Sequence, residues 1–245
     1  MYAIIGGSGL ARIAELESTR REVVRTPFGD PSGPLTMGRL HGEEVVFLAR
    51  HGYGHTIAPH EINYRANLWA LKQAEVDGVI AVATVGGISP TMAPAVLVLP
   101  DQLIDYTYGR RATFFEGTDQ PVNHIDFTEP YDQTLRRRLL AAASEVGVAL
   151  VERGTYGCSQ GPRLETAAEI ARLARDGCDL VGMTGMPEAA LARELQLPYA
   201  VLAVVVNHAA GTGNSQQRID MDAVAQILEK AMARAIAVIS AAVRR

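Results

Sequence analysis

The chain has little cysteine, few aromatic residues and no block of like charge. Cys158 and Cys178 are its only cysteines, and they form neither a CxxC pair nor a metal-ligand spacing. That argues against a disulfide scaffold and a structural zinc site, and suits a reducing cytoplasm. The 23 basic and 27 acidic residues leave a formal net charge of −4. Nothing in their distribution points to nucleic acid or an anionic membrane surface. The longest apolar run, YAVLAVVV at 199–206, is far too short to cross a bilayer. The opening MYAIIGGSGL has no basic stretch before its apolar residues and soon meets glycine, so it does not read as a signal peptide.

What is present is 245 residues, 48% of them hydrophobic, enough for one domain over 1–245 with a sizeable core. Strand and helix patterns alternate along it. YAII (2–5), EVVR (22–25), PLTMGRL (34–40) and EEVVFLAR (43–50) read as strands. Residues 62–76 place Ile62, Ala66, Trp69 and Ala70 on one helical face, opposite Arg65 and Lys72. GVIAVATV (78–85) reads as a buried strand, 130–146 as a long helix and 149–158 as a strand. A helix is expected over 164–176, a strand over 179–183, a helix from Pro187, a strand over 199–206 and a last helix over 220–243. The stretch 106–128 reads as a long functional loop. The expectation is a single-domain α/β fold: a central mixed, largely parallel, twisted sheet flanked by helices.

In open α/β sheets, ligands sit beyond the carboxyl ends of the strands. Polar residues directly after expected strands are GGSG (6–9), Arg50-His51, TVGG (84–87), GPRLE (161–165), Met183-Thr184 and Asn207-His208. The GGSG turn fails as a dinucleotide fingerprint, because position 12 is arginine, and it carries no Walker lysine. It reads equally as a plain tight turn or as a phosphate cradle of backbone N–H groups with the Ser8 hydroxyl. Three of the six histidines, His51, His55 and His60, fall within 49–64. Their irregular spacing fits a metal site poorly, while Arg50 beside His51 suits an oxyanion. Surface histidines on a loop are the plainer alternative.

Glu165 and Asn207 form the sharpest pair. A carboxylate only accepts hydrogen bonds, and an Asn amide both donates and accepts. Hypoxanthine offers an N1–H donor with O6 and N7 acceptors, which this pair matches; adenine matches it badly. The competing reading puts Glu165 in the first turn of its helix for dipole reasons and makes Asn207 a strand-end turn residue.

Longer stretches carry a resemblance: AIIGGSGL, TPFGDPSGPL, LARHGYGHTIAPHEINYRANLWALK, HIDFTEPY, QGPRLET and DLVGMTGMPEAALARELQLPYA. The chain resembles, almost end to end, the trimeric purine nucleoside phosphorylases, and within them the methylthioadenosine phosphorylase branch. The resemblance implies phosphorolysis of an N-glycosidic bond, with inorganic phosphate as co-substrate and no metal or other cofactor. It places phosphate on Ser8, Arg50, His51, Thr84 and Thr184. It places the sugar and its 5′ group on Met183, Met221, Val224 and, from a neighbouring subunit, His124. The base falls to Glu165, Asn207 and Leu164, with Glu165 and Asn207 also serving catalysis. A cytoplasmic homotrimer with sites near its subunit interfaces is implied too.

Two departures from that branch carry information. Its adenine-specific members have serine at the Glu165 position and aspartate at the Asn207 position, so the base reader here resembles the 6-oxopurine branch. The 6-oxopurine branch has a histidine near the start of the last helix, where this chain has Met221 and Val224. The combination implies a 6-oxopurine nucleoside with an apolar 5′ substituent. An adenine-specific phosphorylase, a general 6-oxopurine nucleoside phosphorylase and a non-enzymatic nucleoside-binding module are the alternatives.

Overall fold

The computed structural model describes residues 1–10, 13, 15–118 and 121–244. In chain order the strands are β1 (Tyr2–Gly6), β2 (Leu16–Glu22), β3 (Leu35–Leu40), β4 (Glu43–Ala49), β5 (Gly78–Gly87), β6 (Leu97–Val98), β7 (Gln102–Asp105), β8 (Leu150–Val151), β9 (Thr155–Cys158), β10 (Leu180–Gly182) and β11 (Tyr199–His208). The helices are α1 (Tyr64–Gln73), α2 (Gln133–Glu145), α3 (Ala167–Arg175), α4 (Glu188–Glu194) and α5 (Met221–Val243). The sheet is mixed, and its central pairs β4–β1, β1–β5 and β5–β11 are all parallel. β5 and the first eight residues of β11 are apolar and buried almost without break, as strands covered on both faces must be. α1 and α4 pack against each other, as do α2 and α5. Two apolar clusters divide the sheet residues between them: one includes Leu68, Leu71, Ala189 and Ala192, the other Leu139, Ala143, Ala235 and Ile239.

β5 creates the opening for the site. It pairs with β11 along nearly its whole length. It also pairs with β1 as far as Ala81 and with β10 from Gly86. On the edge of β5 opposite β11, no strand among the described residues pairs with it between those two partners, and the ends of β1, β4 and β10 gather there.

The structure moves several expected boundaries. Residues 23–25 of EVVR lie beyond the strand, which is instead LESTRRE at 16–22. β2 pairs only with β3, so no second face imposes a hydrophobic alternation that a reader could detect. The expected strand over 149–158 is two strands, and the Gly154 N–H between them donates to Asp101 Oδ1 at 2.9 Å. β6 and β7 are too short to leave a periodic signal. Pro187 is the N-cap of α4 rather than its first helical residue. The described residues of 106–128 hold no helix or strand, and residues 119 and 120 lie outside the described set.

The start of α3 bears most on function. The helix begins at Ala167, not 164. Thr166 caps it in a reciprocal capping box: its hydroxyl accepts from the Glu169 N–H, and Glu169 accepts from the Thr166 N–H. Glu169 also takes both arms of Arg163, at 2.7 and 2.8 Å. Glu165 therefore lies ahead of the cap, outside the first turn.

Candidate active site

A cavity of about 690 Å³ opens at the ends of β1, β4, β5, β10 and β11. Ser8, Arg50, His51, Thr84, Met183 and Thr184 line it, and so do Leu164, Glu165, Asn207, Met221 and Val224. Seven separate stretches of sequence thus meet in one space. His124 is the exception: it is exposed on the long loop and is not part of this wall.

The turn after β1 is shaped by close approach. The Leu10 N–H closes it onto the Gly7 oxygen at 3.0 Å. A Cβ at position 7 would come within 2.7 Å of the Val82 oxygen and 3.0 Å of Arg50 Nη1, so only glycine fits. Ser8 follows, its Oγ 3.5 Å from His55 Nε2.

Arg50 is 1% exposed. Its Nε and Nη2 each donate to Glu188 at 2.8 Å, and Nη1 donates to the Val82 oxygen at 2.9 Å. Glu188, fully buried at the start of α4, also accepts from the Tyr199 hydroxyl at 2.7 Å. Burial works to lower the guanidinium pKa, and the Glu188 carboxylate outweighs it and holds it above the ordinary value. The guanidinium has five N–H donors, and these contacts leave one on each Nη for a ligand. Sequence reasoning missed Glu188. The signal was available: a buried arginine needs a carboxylate, and an acid at the start of an apolar helix is a natural supplier.

His51 is nearly as buried as Arg50. Its Nδ1 donates to the Ile57 oxygen at 2.8 Å. Burial pushes its pKa down to about 4, only partly opposed by that carbonyl. The ring is therefore neutral near pH 7, and Nε2 is left as an acceptor. The rings of His51 and His55 lie 4.6 Å apart. Among the described residues, no group of three or more His, Cys, Asp or Glu side chains is placed to share a metal ion.

Glu165 is half-buried and accepts from the Ser159 hydroxyl. Asn207 lies in β11 just past a register shift against β5 between Val205 and Asn207. Such irregularities re-aim side chains next to functional sites. The Asn207 Nδ2 donates to the His208 oxygen at 2.7 Å, leaving its second N–H and its oxygen for a ligand. The readings of Glu165 as a helix-dipole residue and Asn207 as a plain turn residue both fail on these placements.

Met221 opens α5 and is 62% exposed. The buried stripe of α5 begins only at Ala231. Met221 is thus no core residue, while Val224 both lines the cavity and packs against the core. Ile219, Ala225 and Leu228 continue this apolar wall and were not anticipated from sequence.

Comparison with known proteins places the chain in a family. The chain belongs to the phosphorylase superfamily, whose family profile matches residues 1–244. Within it, the chain is 56% identical over 215 residues to a probable S-methyl-5′-thioinosine phosphorylase of Xanthomonas campestris, covering 88% of this chain and 86% of the relative. It is 46% identical to the 6-oxopurine nucleoside phosphorylase of Pyrococcus furiosus, over 98% of this chain and 91% of that one. Methylthioadenosine phosphorylase from Schistosoma mansoni, solved in complex with adenine, superposes with a TM-score of 0.94 at 31% identity, covering 99% of this chain and 90% of that one.

Proposed function

We propose that the chain catalyses phosphorolysis of S-methyl-5′-thioinosine to hypoxanthine and 5-methylthioribose 1-phosphate. One observation carries this reading: Glu165 and Asn207 share a cavity with Arg50, His51 and Thr184 and with the apolar wall of Met221 and Val224. The named relatives support the same reaction class.

In this reading a phosphate oxygen attacks the ribosyl carbon as the bond to the purine breaks. The bonding electrons leave with the purine, and positive charge gathers on the sugar. The phosphate anion is both nucleophile and electrostatic partner to that charge. Ser8 and Thr184 supply hydroxyls, Thr84 supplies its backbone N–H, and Arg50 supplies its two spare N–H groups. Because Glu188 neutralises Arg50, that pair holds phosphate by directed hydrogen bonds more than by net charge. Neutral His51 accepts from a phosphate hydroxyl. Glu165 accepts from N1–H and Asn207 meets O6 and N7, steadying the leaving purine as charge or a proton arrives. Met183 packs the sugar, and Leu164 lies against the base. His124, exposed in its own chain, closes the 5′ pocket of a neighbouring subunit in a cytoplasmic homotrimer. No metal or cofactor takes part.

A second reading, a general 6-oxopurine nucleoside phosphorylase, is favoured by the exposure of Met221, which leaves a 5′-hydroxyl access to water. Product analysis tests the proposal. Methylthioinosine should yield hypoxanthine and the sugar phosphate in equal amounts, and only when phosphate is present. Phosphate-independent release, or none, contradicts it.

A further inference from the structure

Arg110 lies on the long segment after β7, and its guanidinium is an unusual junction. Its Nη1 donates to the main-chain oxygens of Met183 at 2.9 Å and Met186 at 2.6 Å, and to the Tyr64 hydroxyl at 3.2 Å. Its Nη2 donates to the Gln160 oxygen at 2.8 Å and the Ser159 oxygen at 3.4 Å, and its Nε to Gln160 Oε1 at 3.2 Å. The Tyr64 hydroxyl in turn donates to the Pro59 oxygen at 2.8 Å.

Met183 lines the cavity, and the other main-chain acceptors lie on the chain segments that lead to Glu165 and away from Thr184. Ser159 and Gln160 begin the loop that carries Glu165, and the Ser159 hydroxyl also donates to Glu165. Met183 and Met186 bracket Thr184. Pro59 lies in the wall with His51 and His55. Arg110 is not itself part of that wall. A planar five-donor fork can serve acceptors from several directions at once, and a lysine ammonium cannot span them in the same geometry.

We infer that Arg110 is a positioning residue that fixes the distance between the base-reading Glu165 and the Met183–Thr184 turn, and so sets the discrimination between 6-oxo and 6-amino bases. The inference rests on the function proposed above. Base selection requires Glu165 to reach N1 while the ribosyl carbon sits at the phosphate. Two segments held by one guanidinium meet both conditions together; separated, each relaxes alone. Misplacement of about 1 Å in such a site costs on the order of 100-fold in rate.

The test compares kcat/KM for methylthioinosine and methylthioadenosine in wild type, Arg110→Ala, Arg110→Lys and Arg65→Ala. Arg65 is the control: it holds the same long segment through Thr113 and Glu116 but contacts none of these wall segments. Arg110→Ala should lower kcat/KM for methylthioinosine about 100-fold and shrink the base ratio about tenfold. Added guanidinium should restore both, and methylammonium should not. Arg110→Lys should shrink the ratio as well, and carries the test alone if the alanine variant does not fold. Arg65→Ala should leave the ratio unchanged. A loss of rate with an unchanged ratio, no restoration by guanidinium, or an equal effect in Arg65→Ala overturns the inference. Wild type turning over neither nucleoside would instead sink the proposed function, and this inference with it.

Discussion

The two parts of the cavity are built differently. Arg50, His51 and Thr184, assigned to phosphate, are each at most 7% exposed, and Arg50 is tied into the core by Glu188 and Tyr199. The residues assigned to the base and the 5′ group sit on a loop, a strand end and the first turns of α5. Glu165 and Asn207 are half-buried, Leu164 is 46% exposed and Met221 62%. A change in the first part is felt by the core, and a change at Glu165, Leu164 or Met221 mainly by the ligand. Within one fold, anion binding can stay fixed while the reading of base and sugar is altered at little cost in stability.

The largest expected effect attacks the buried part. Glu188→Ala leaves the Arg50 cation without its partner and should destabilise the fold by about 3–5 kcal/mol. Thermal unfolding measures it. Phosphate would then supply the missing counter-charge, so it should raise Tm more in this variant than in wild type. Equal stabilisation by phosphate in both would mean that Arg50 does not face the anion.

Glu165→Gln probes the other part. Losing a hydrogen bond to a charged group costs roughly 1.5–3 kcal/mol, or about 10- to 150-fold in kcat/KM for methylthioinosine. Tm should barely move, because Glu169 and not Glu165 completes the capping box of α3. A large fall in Tm with unchanged kinetics would make Glu165 a structural residue.

Met221→His sharpens the contrast within the second part. An imidazole there can meet a 5′-hydroxyl and no longer offers a plain apolar wall. The ratio of methylthioinosine to inosine turnover should shift about tenfold toward inosine, close to 1.4 kcal/mol. Equal loss on both substrates would return Met221 to a packing role.

The last effect concerns pH. The pKa of His51 falls from 6.5 to about 4 on folding, so the unfolded chain binds more protons between those values. The contribution of His51 is therefore complete above about 6.5 and is lost as pH falls toward 4. His51→Gln should flatten the acid side of the Tm profile. An unchanged slope would place the titration elsewhere.

Much of this division is legible in the sequence, for a physical reason. Strands ending in glycine, hydroxyl or charged residues expose those groups where the sheet opens, so Ser8, Arg50, Thr84, Glu165, Thr184 and Asn207 can be found from position alone. What supports them leaves a weaker signal. Glu188 opens α4, and its meaning depends on an arginine 138 positions away. Arg110 lies in a segment without periodicity, and its partners are main-chain oxygens that leave no side-chain signature. β2, exposed along an edge, and the two-residue strands β6 and β8 lack the alternation that burial imposes. The boundary of α3 turned on which of two acids, Glu165 or Glu169, completes the capping box, and the S/T-x-x-E spacing from Thr166 to Glu169 did encode it.

The central claim is that the Glu165–Asn207 pair reads a 6-oxopurine on a site with an apolar 5′ wall. The most direct measurement is kcat/KM for methylthioinosine against methylthioadenosine, at saturating phosphate, with the wild-type protein. A site whose polar groups are left unpaired by the wrong base rejects it by on the order of 10⁴, so methylthioinosine should be preferred by about that factor. Comparable turnover of the two nucleosides would contradict the account.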